Sequence, residues 1–261
     1  MSPLPTIFIS HGSPMLALQD SPARRFLQDL GASLPRPKAI AVVSAHWETT
    51  GGPAVSLAAQ PATIHDFGGF PQALYDISYP APGAPALAER AATLFEAAGI
   101  PVGRSAERGL DHGAWVPLSL MYPHADLPVM QISLVHGADP ATHEQMGLAL
   151  TQLRHEGVLV IGSGSLTHNL HEFRGQPIDA PAALWVSEFI SWMREQLENN
   201  DTTALLDYRN RAPSAIKNHP SDEHLLPLFV AMGAAGIHAK AQLLHSSVEH
   251  GVLAMDAYAF N

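Results

Sequence analysis

Three apolar runs in this chain each end in small and turn-forming residues that carry a histidine, and this pattern limits the available folds more than any other feature. Pro5-Thr6-Ile7-Phe8-Ile9 leads into Ser10-His11-Gly12-Ser13. Ala39-Ile40-Ala41-Val42-Val43 leads into Ser44-Ala45-His46-Trp47. Val158-Leu159-Val160-Ile161 leads into Gly162-Ser163-Gly164-Ser165, with His168 shortly after. A short apolar run bounded by turn residues reads as a buried strand. Neighbouring parallel strands lie about 4.8 Å apart, so two imidazoles at such tips can reach one metal ion. In open α/β sheets, ligands gather beyond the carboxyl ends of the strands.

Between these runs the periodicity is helical. Ser21 is placed to cap a helix with Pro22 at its first position, Leu27 and Leu30 on one face and Gly31 closing it. Further helices are expected from about Pro85 to Ala98 with a stop at Gly99, in the apolar stretch that Gly109 to Trp115 leads into and that runs through Met121, and from Asp139-Pro140 to about His155. Trp185, Phe189, Met193 and Leu197 recur every four residues, which predicts a long helix from Ala182 to Glu198. A shorter helix is expected over Thr203 to Arg209, and another over Leu225 to Ala235, capped by Ser221 or Asp222 and closed by Gly236. Further strands are expected at Ala54 to Ala58, Pro101 to Gly103, Leu127 to Leu134, Gln242 to Leu244 and Val252 to Ala257. Alternation of this kind indicates an α/β fold with a mixed or largely parallel sheet flanked by helices.

The 261 residues, 46% of them hydrophobic, are enough for one large core, and no linker or repeat divides them, so 1–261 is read as a single domain. The net charge of −10 and the lack of a basic stripe argue against nucleic acid or anionic membrane as partners. The opening Met1-Ser2-Pro3-Leu4-Pro5 has no signal-peptide character, and no apolar run approaches the roughly 20 residues of a membrane helix. A cytoplasmic monomer or small homo-oligomer acting on a small molecule is the expectation.

Cysteine is absent, so a transition metal here must be held by histidine, aspartate or glutamate. Five histidines stand at breaks between an element and a loop: His11, His46, His112, His168 and His224. Imidazole with oxygen donors suits zinc, iron or nickel rather than calcium or magnesium. The other ten, among them His124, His136, His143, His155 and His250, lie in polar or helical contexts and are read as structural, with His171 and His219 ambiguous. Ile64-His65-Asp66-Phe67-Gly68-Gly69-Phe70-Pro71 combines aromatics and glycines around a His-Asp pair, which suits a loop that approaches a ligand closely.

Taken together, His11-Gly12-Ser13-Pro14, Ser44-Ala45-His46-Trp47, the 64–71 loop, Asp111-His112-Gly113, His168-Asn169-Leu170 and Glu223-His224 resemble the DODA-type, 4,5-DOPA extradiol dioxygenase-like proteins of the LigB-like class III extradiol group. The resemblance runs from about Ile7 to Ala235 with the motifs in order. It implies a phosphorylase/hydrolase-like fold and one mononuclear divalent metal, Fe(II) in the active enzyme and often Zn(II) as isolated. It implies His11, His46 and His224 as metal ligands, with His168 as a fourth ligand or the acid/base. Glu223, next to His224, is the other residue that can complete the set, because distant members use two histidines and a glutamate. The implied reaction is opening of a catechol (DOPA-like) ring by O2. In that reaction His168 takes a catechol proton, His112 stabilises charge developing on oxygen, and His65, Asp66 and Phe67 line the substrate pocket. Two rival readings are a zinc-dependent amidase or esterase using Glu223 or Asp111 as base, and a non-catalytic metal or small-ligand binder.

Overall fold

The computed structural model describes residues 3–261; Met1 and Ser2, where the stretch without signal-peptide character begins, lie outside the described residues. The chain opens with β1 (Thr6–Ser10), α1 (Pro22–Ser33), β2 (Ala39–Thr49), β3 (Ala54–Ser56), the single turn α2 (Gln72–Tyr75), α3 (Pro85–Ala97), β4 (Gly103–Ser105), α4 (His112–Met121) and β5 (Val129–Val135). Then follow α5 (Pro140–Ala149), α6 (Thr151–His155), β6 (Val158–Gly164), α7 (Leu184–Asn199), α8 (Thr202–Leu206), α9 (Tyr208–Arg211), α10 (Ala215–Asn218) and α11 (Leu226–Ala235). The chain closes on β7 (Ala241–His245), β8 (Val248–Glu249), β9 (Leu253–Ala254) and β10 (Ala257–Phe260).

Eight strands make one sheet in the order β4-β3-β5-β2-β6-β1-β10-β7. The centre β5-β2-β6-β1 is parallel, while β3 meets β5, and β10 meets β1 and β7, antiparallel. Helices cover both faces, which is why the central strands read as unbroken apolar runs. On one face Phe8, Val43 and Val160 pack with Phe95, Phe189 and Phe229. On the other, Ile7, Ile40 and Ile161 pack with Leu27 and Trp115. Every residue of α11 is buried. No helix among the described residues is long and apolar enough to cross a membrane.

Several boundaries differ from the sequence reading. Gly31 does not end α1; the helix runs on to Ser33, and the glycine admits the Met121 backbone, whose carbonyl oxygen would lie 1.9 Å from an added Cβ. Neither Ser221 nor Asp222 caps α11 with its side chain; the Asp222 backbone carbonyl accepts the Leu226 N–H instead. The helix expected over 139–155 breaks at Leu150 into α5 and α6, and that over 203–209 breaks at Asp207 into α8 and α9. The last expected strand is two, because the buried Asp256 turns aside between β9 and β10 to accept from Arg194 (3.2 Å) and Ser246 (3.0 Å).

Candidate active site

The order of the sheet changes how His11 and His46 meet. Their strands are not neighbours, because β6 lies between β1 and β2 and pairs in parallel with both. The imidazoles reach each other across the tip of β6, where the chain offers only Gly162, Ser163 and Gly164. A side chain at Gly164 would put Cβ 2.0 Å from the His224 carbonyl oxygen. The absence of one lets the segment before α11 close over the tip and bring His224 to the pair. Gly113, in the first turn of α4, plays the same part on the other side, where a Cβ would sit 2.5 Å from Ser44 Oγ and 3.0 Å from His46 Cδ2.

His11, His46 and His224 form a group whose ligand atoms all lie within 4.8 Å of one another. His11 and His46 face each other through Nε2 atoms 3.0 Å apart. Ser163 donates its hydroxyl proton to the Gly113 carbonyl (2.5 Å), so its oxygen accepts from His11 Nδ1 (3.1 Å) and leaves His11 Nε2 bare. The Glu223 carboxylate accepts from His224 Nδ1 at 2.8 Å, leaving His224 Nε2 bare in turn. Asp66 Oδ2 stands 3.6 Å from His46 Nδ1. Burial, reinforced by the neighbouring imidazoles, holds His11 and His224 well below the usual histidine value and His46 at about 4. At neutral pH these are uncharged rings, and the lone pairs of His11 Nε2 and His224 Nε2 face the group that His46 Nε2 joins at 3.0 Å from His11. Two nitrogens each about 2.1 Å from one ion stand roughly 3 Å apart, so the donor set fits a divalent metal.

His168 packs on His224 with rings parallel, 3.5 Å between centroids and 9° between planes. Its ligand atom groups with those of Glu223 and His224 and not with the His11–His46 pair. Burial lowers its pKa against the pull of the Glu223 carboxylate. His112 opens α4, and its backbone N–H (2.9 Å) and Nδ1–H (3.0 Å) both donate to Asp66 Oδ1. Burial would raise the Asp66 pKa, but these bonds and the His112 charge outweigh it and hold the carboxyl at about 2.

A cavity of about 270 Å3 opens onto His46, His112, His168, His224 and Asp66. Its remaining walls include Pro14, Phe67, Phe70, Leu170 and Leu253. His65 does not line it; its Nε2 donates to the Ile77 carbonyl (3.1 Å) and its ring packs beside Phe67, Tyr75 and Trp115. Asp111, a candidate base in the hydrolase reading, is fully buried and spent on structure. It caps α4 through Ala114 N–H and accepts from Arg108 (2.5 Å), Gln131 (2.7 Å) and Ser44 (2.6 Å). The His143 and His219 rings are structural, bonded to the backbone at Asp139 and Val135 and at Leu166 respectively. Ser163, Leu170 and Leu253 are site residues that the sequence does not assign. The Gly-Ser-Gly-Ser run after Ile161 is the available signal for Ser163 and the His168-Asn169-Leu170 motif that for Leu170; Leu253 carries none.

Residues 5–261 match the family model described as the catalytic LigB subunit of aromatic ring-opening dioxygenase. The chain is 45% identical over 259 residues to a 4,5-DOPA dioxygenase extradiol of Beta vulgaris, covering 98% of this chain and 96% of that one. It is 41% identical to a 4,5-DOPA dioxygenase extradiol of Escherichia coli, covering 97% and 93% respectively. A crystal structure of an uncharacterized Escherichia coli K12 protein superposes with a TM-score of 0.83 at 35% identity, covering 99% of this chain and 100% of that one. The chain thus belongs to the LigB family of aromatic ring-opening dioxygenases, enzymes that depend on a metal.

Proposed function

We propose that residues 1–261 act as one extradiol dioxygenase domain, holding a single Fe(II) on His11, His46 and His224 and opening the ring of a catechol of the DOPA-like kind. The observation that carries this is the 3.0 Å approach of the His11 and His46 Nε2 atoms beside His224, at the base of a cavity that also presents His112 and His168. Bound there, Fe(II) supplies the redox chemistry that couples an electron-rich ring to dioxygen, which a filled-shell Zn(II) does not. The residues do the rest. Glu223 and Ser163 accept from Nδ1 of His224 and His11 and so fix the orientation of each ring. His168 is an uncharged imidazole facing the cavity, and it takes the proton that a catechol hydroxyl must lose. Its parallel stack on His224 suits a base rather than a fourth ligand. His112 has its Nδ1 committed to Asp66, so only Nε2 is left for the substrate side. When Nε2 carries a proton, Asp66 balances that charge and His112 donates to the negative oxygen that develops. Asp66 therefore acts through His112, and Phe67 offers a flat apolar wall to the ring.

The test is anaerobic reconstitution with Fe(II), then catechol and air. A yellow ring-cleavage product is expected. Activity confined to the Zn(II)-loaded protein on an ester or amide would replace this reading by a hydrolase, and no activity with either metal would leave a binder. The same reading places the protein in the cytoplasm as a monomer or small homo-oligomer, which light scattering and cell fractionation check.

A further inference from the structure

A second cavity, of about 450 Å3, lies at the opposite end of the parallel strands from the histidines. Leu4, Lys38 and Gly157 line it, and each stands one or two residues ahead of a central strand, β1, β2 or β6. Its volume falls within the range of ligand sites. Arg154 also lines it and is 6% exposed. The Arg154 Nε donates to the Leu4 carbonyl (2.7 Å) and Nη1 to the Ala235 carbonyl (2.6 Å). Nη2 has no hydrogen-bond partner among the described residues, and Met1 and Ser2 carry no side-chain carboxylate. Burial lowers the Arg154 pKa, and no acid raises it again.

Lys38 adds a second cation. Its side chain lies against Gly157, where an added Cβ would stand 3.2 Å from Lys38 Cδ, and it makes no ion pair among the described residues. The other charges at the wall are matched: Arg36 pairs with Asp126 at 2.6 Å, and Glu156 with Arg90 at 2.7 Å. Two unmatched cations thus border one cavity in a chain whose net charge is −10. Pro3, Leu4 and Pro35 supply an apolar wall beside them.

We propose that this cavity binds a small organic acid, its carboxylate on Arg154 and Lys38 and its apolar body on Pro3, Leu4 and Pro35. Taking a guanidinium out of water costs free energy, and a carboxylate that meets it offsets that cost. The planar guanidinium is weakly hydrated and matches carboxylate geometry, while the lysine adds a point charge. An inorganic oxyanion offers the same charge but leaves the apolar wall unused. The ligand touches the starts of β1, β2 and β6, so its binding stabilises the folded chain by linkage. The site is separate from the histidine cavity and does not depend on the catechol chemistry there.

Benzoate is titrated by calorimetry into the full chain as isolated, at constant ionic strength. Benzamide, the same shape without the charge, and inorganic phosphate, the charge without the ring, are run beside it. Benzoate is expected to bind at least tenfold more tightly than either and to raise the melting temperature. Lys38→Glu and Pro35→Glu, both at exposed positions, are each expected to weaken benzoate at least tenfold and to remove that rise. Arg154→Met is expected to abolish binding; should it fail to fold, the two exposed variants decide. No benzoate binding, an advantage below tenfold over either control, or an affinity unchanged in both exposed variants overturns the proposal. Those results leave the dioxygenase reading untouched, because none of the variants lies at the histidine cavity.

Discussion

At the scale of single residues, the site is a set of imidazoles whose nitrogens are already divided between structure and chemistry. His11 and His224 give Nδ1 to Ser163 and Glu223 and keep Nε2 for a metal. Glu223→Gln and Ser163→Ala are each expected to weaken metal binding about 10- to 100-fold without unfolding the chain, read by competition with a chromogenic chelator. His168→Ala is expected to cut turnover by about 10²- to 10⁴-fold while metal content stays near that of the parent, because it removes a base and no ligand; loss of the metal would place His168 among the ligands. The pH dependence has a definite sign. Burial keeps His219 neutral in the fold, with its pKa at about 4, below the roughly 6.5 of an unfolded chain. As pH falls the unfolded state takes the proton first, so stability present above pH 6.5 drains away toward pH 4, about 3 kcal/mol from this ring alone. His11 and His224 shift in the same direction. Urea unfolding of the metal-free protein at pH 7, 5.5 and 4.5 checks this; a flat midpoint would contradict it.

At the scale of elements, the working parts are the ends of strands and the starts of helices. β1 and β2 deliver His11 and His46, and the narrow tip of β6 between them lets the rings lean together. Gly164→Ala drives a methyl into the His224 carbonyl, and the segment ahead of α11 must move. A loss of roughly 1 to 3 kcal/mol in stability is expected, as for other overpacked cores, together with weaker metal binding. Thermal unfolding with and without metal separates the two effects; a variant as stable and as metal-avid as the parent would show that the close approach is dispensable. α4 starts where Asp111 caps it, and that cap presents His112 to Asp66 on the 64–71 loop.

At the scale of the whole molecule, three distant stretches of chain converge on one point, so a bound ion ties together β1, β2 and the approach to α11. Anything that binds the folded chain alone stabilises it, by roughly 4 kcal/mol when free metal is a thousandfold above its dissociation constant. Dialysis against a chelator is expected to lower the melting temperature by several degrees and restored metal to raise it again. A melting curve indifferent to the chelator would argue against the three-histidine site.

Read alone, the amino-acid sequence determined the α/β class and the strand tips, and it marked five histidines at breaks between elements, while the choice of ligands among them came from the family resemblance. The strands are a local property: an unbroken apolar run means a strand covered on both faces, and the turn-forming residues after it mark its exit. It suggested neighbouring tips for His11 and His46, because contact between the runs is visible in sequence only as similarity of pattern. Tertiary structure alone decided that β6 runs between them, that Asp66 serves His112, and that His65 turns away to the Ile77 carbonyl. Those outcomes depend on which backbone can approach which side chain. That is set by the packing of elements far apart in the chain, which brings Leu253, outside every motif, to line the same small cavity as Leu170.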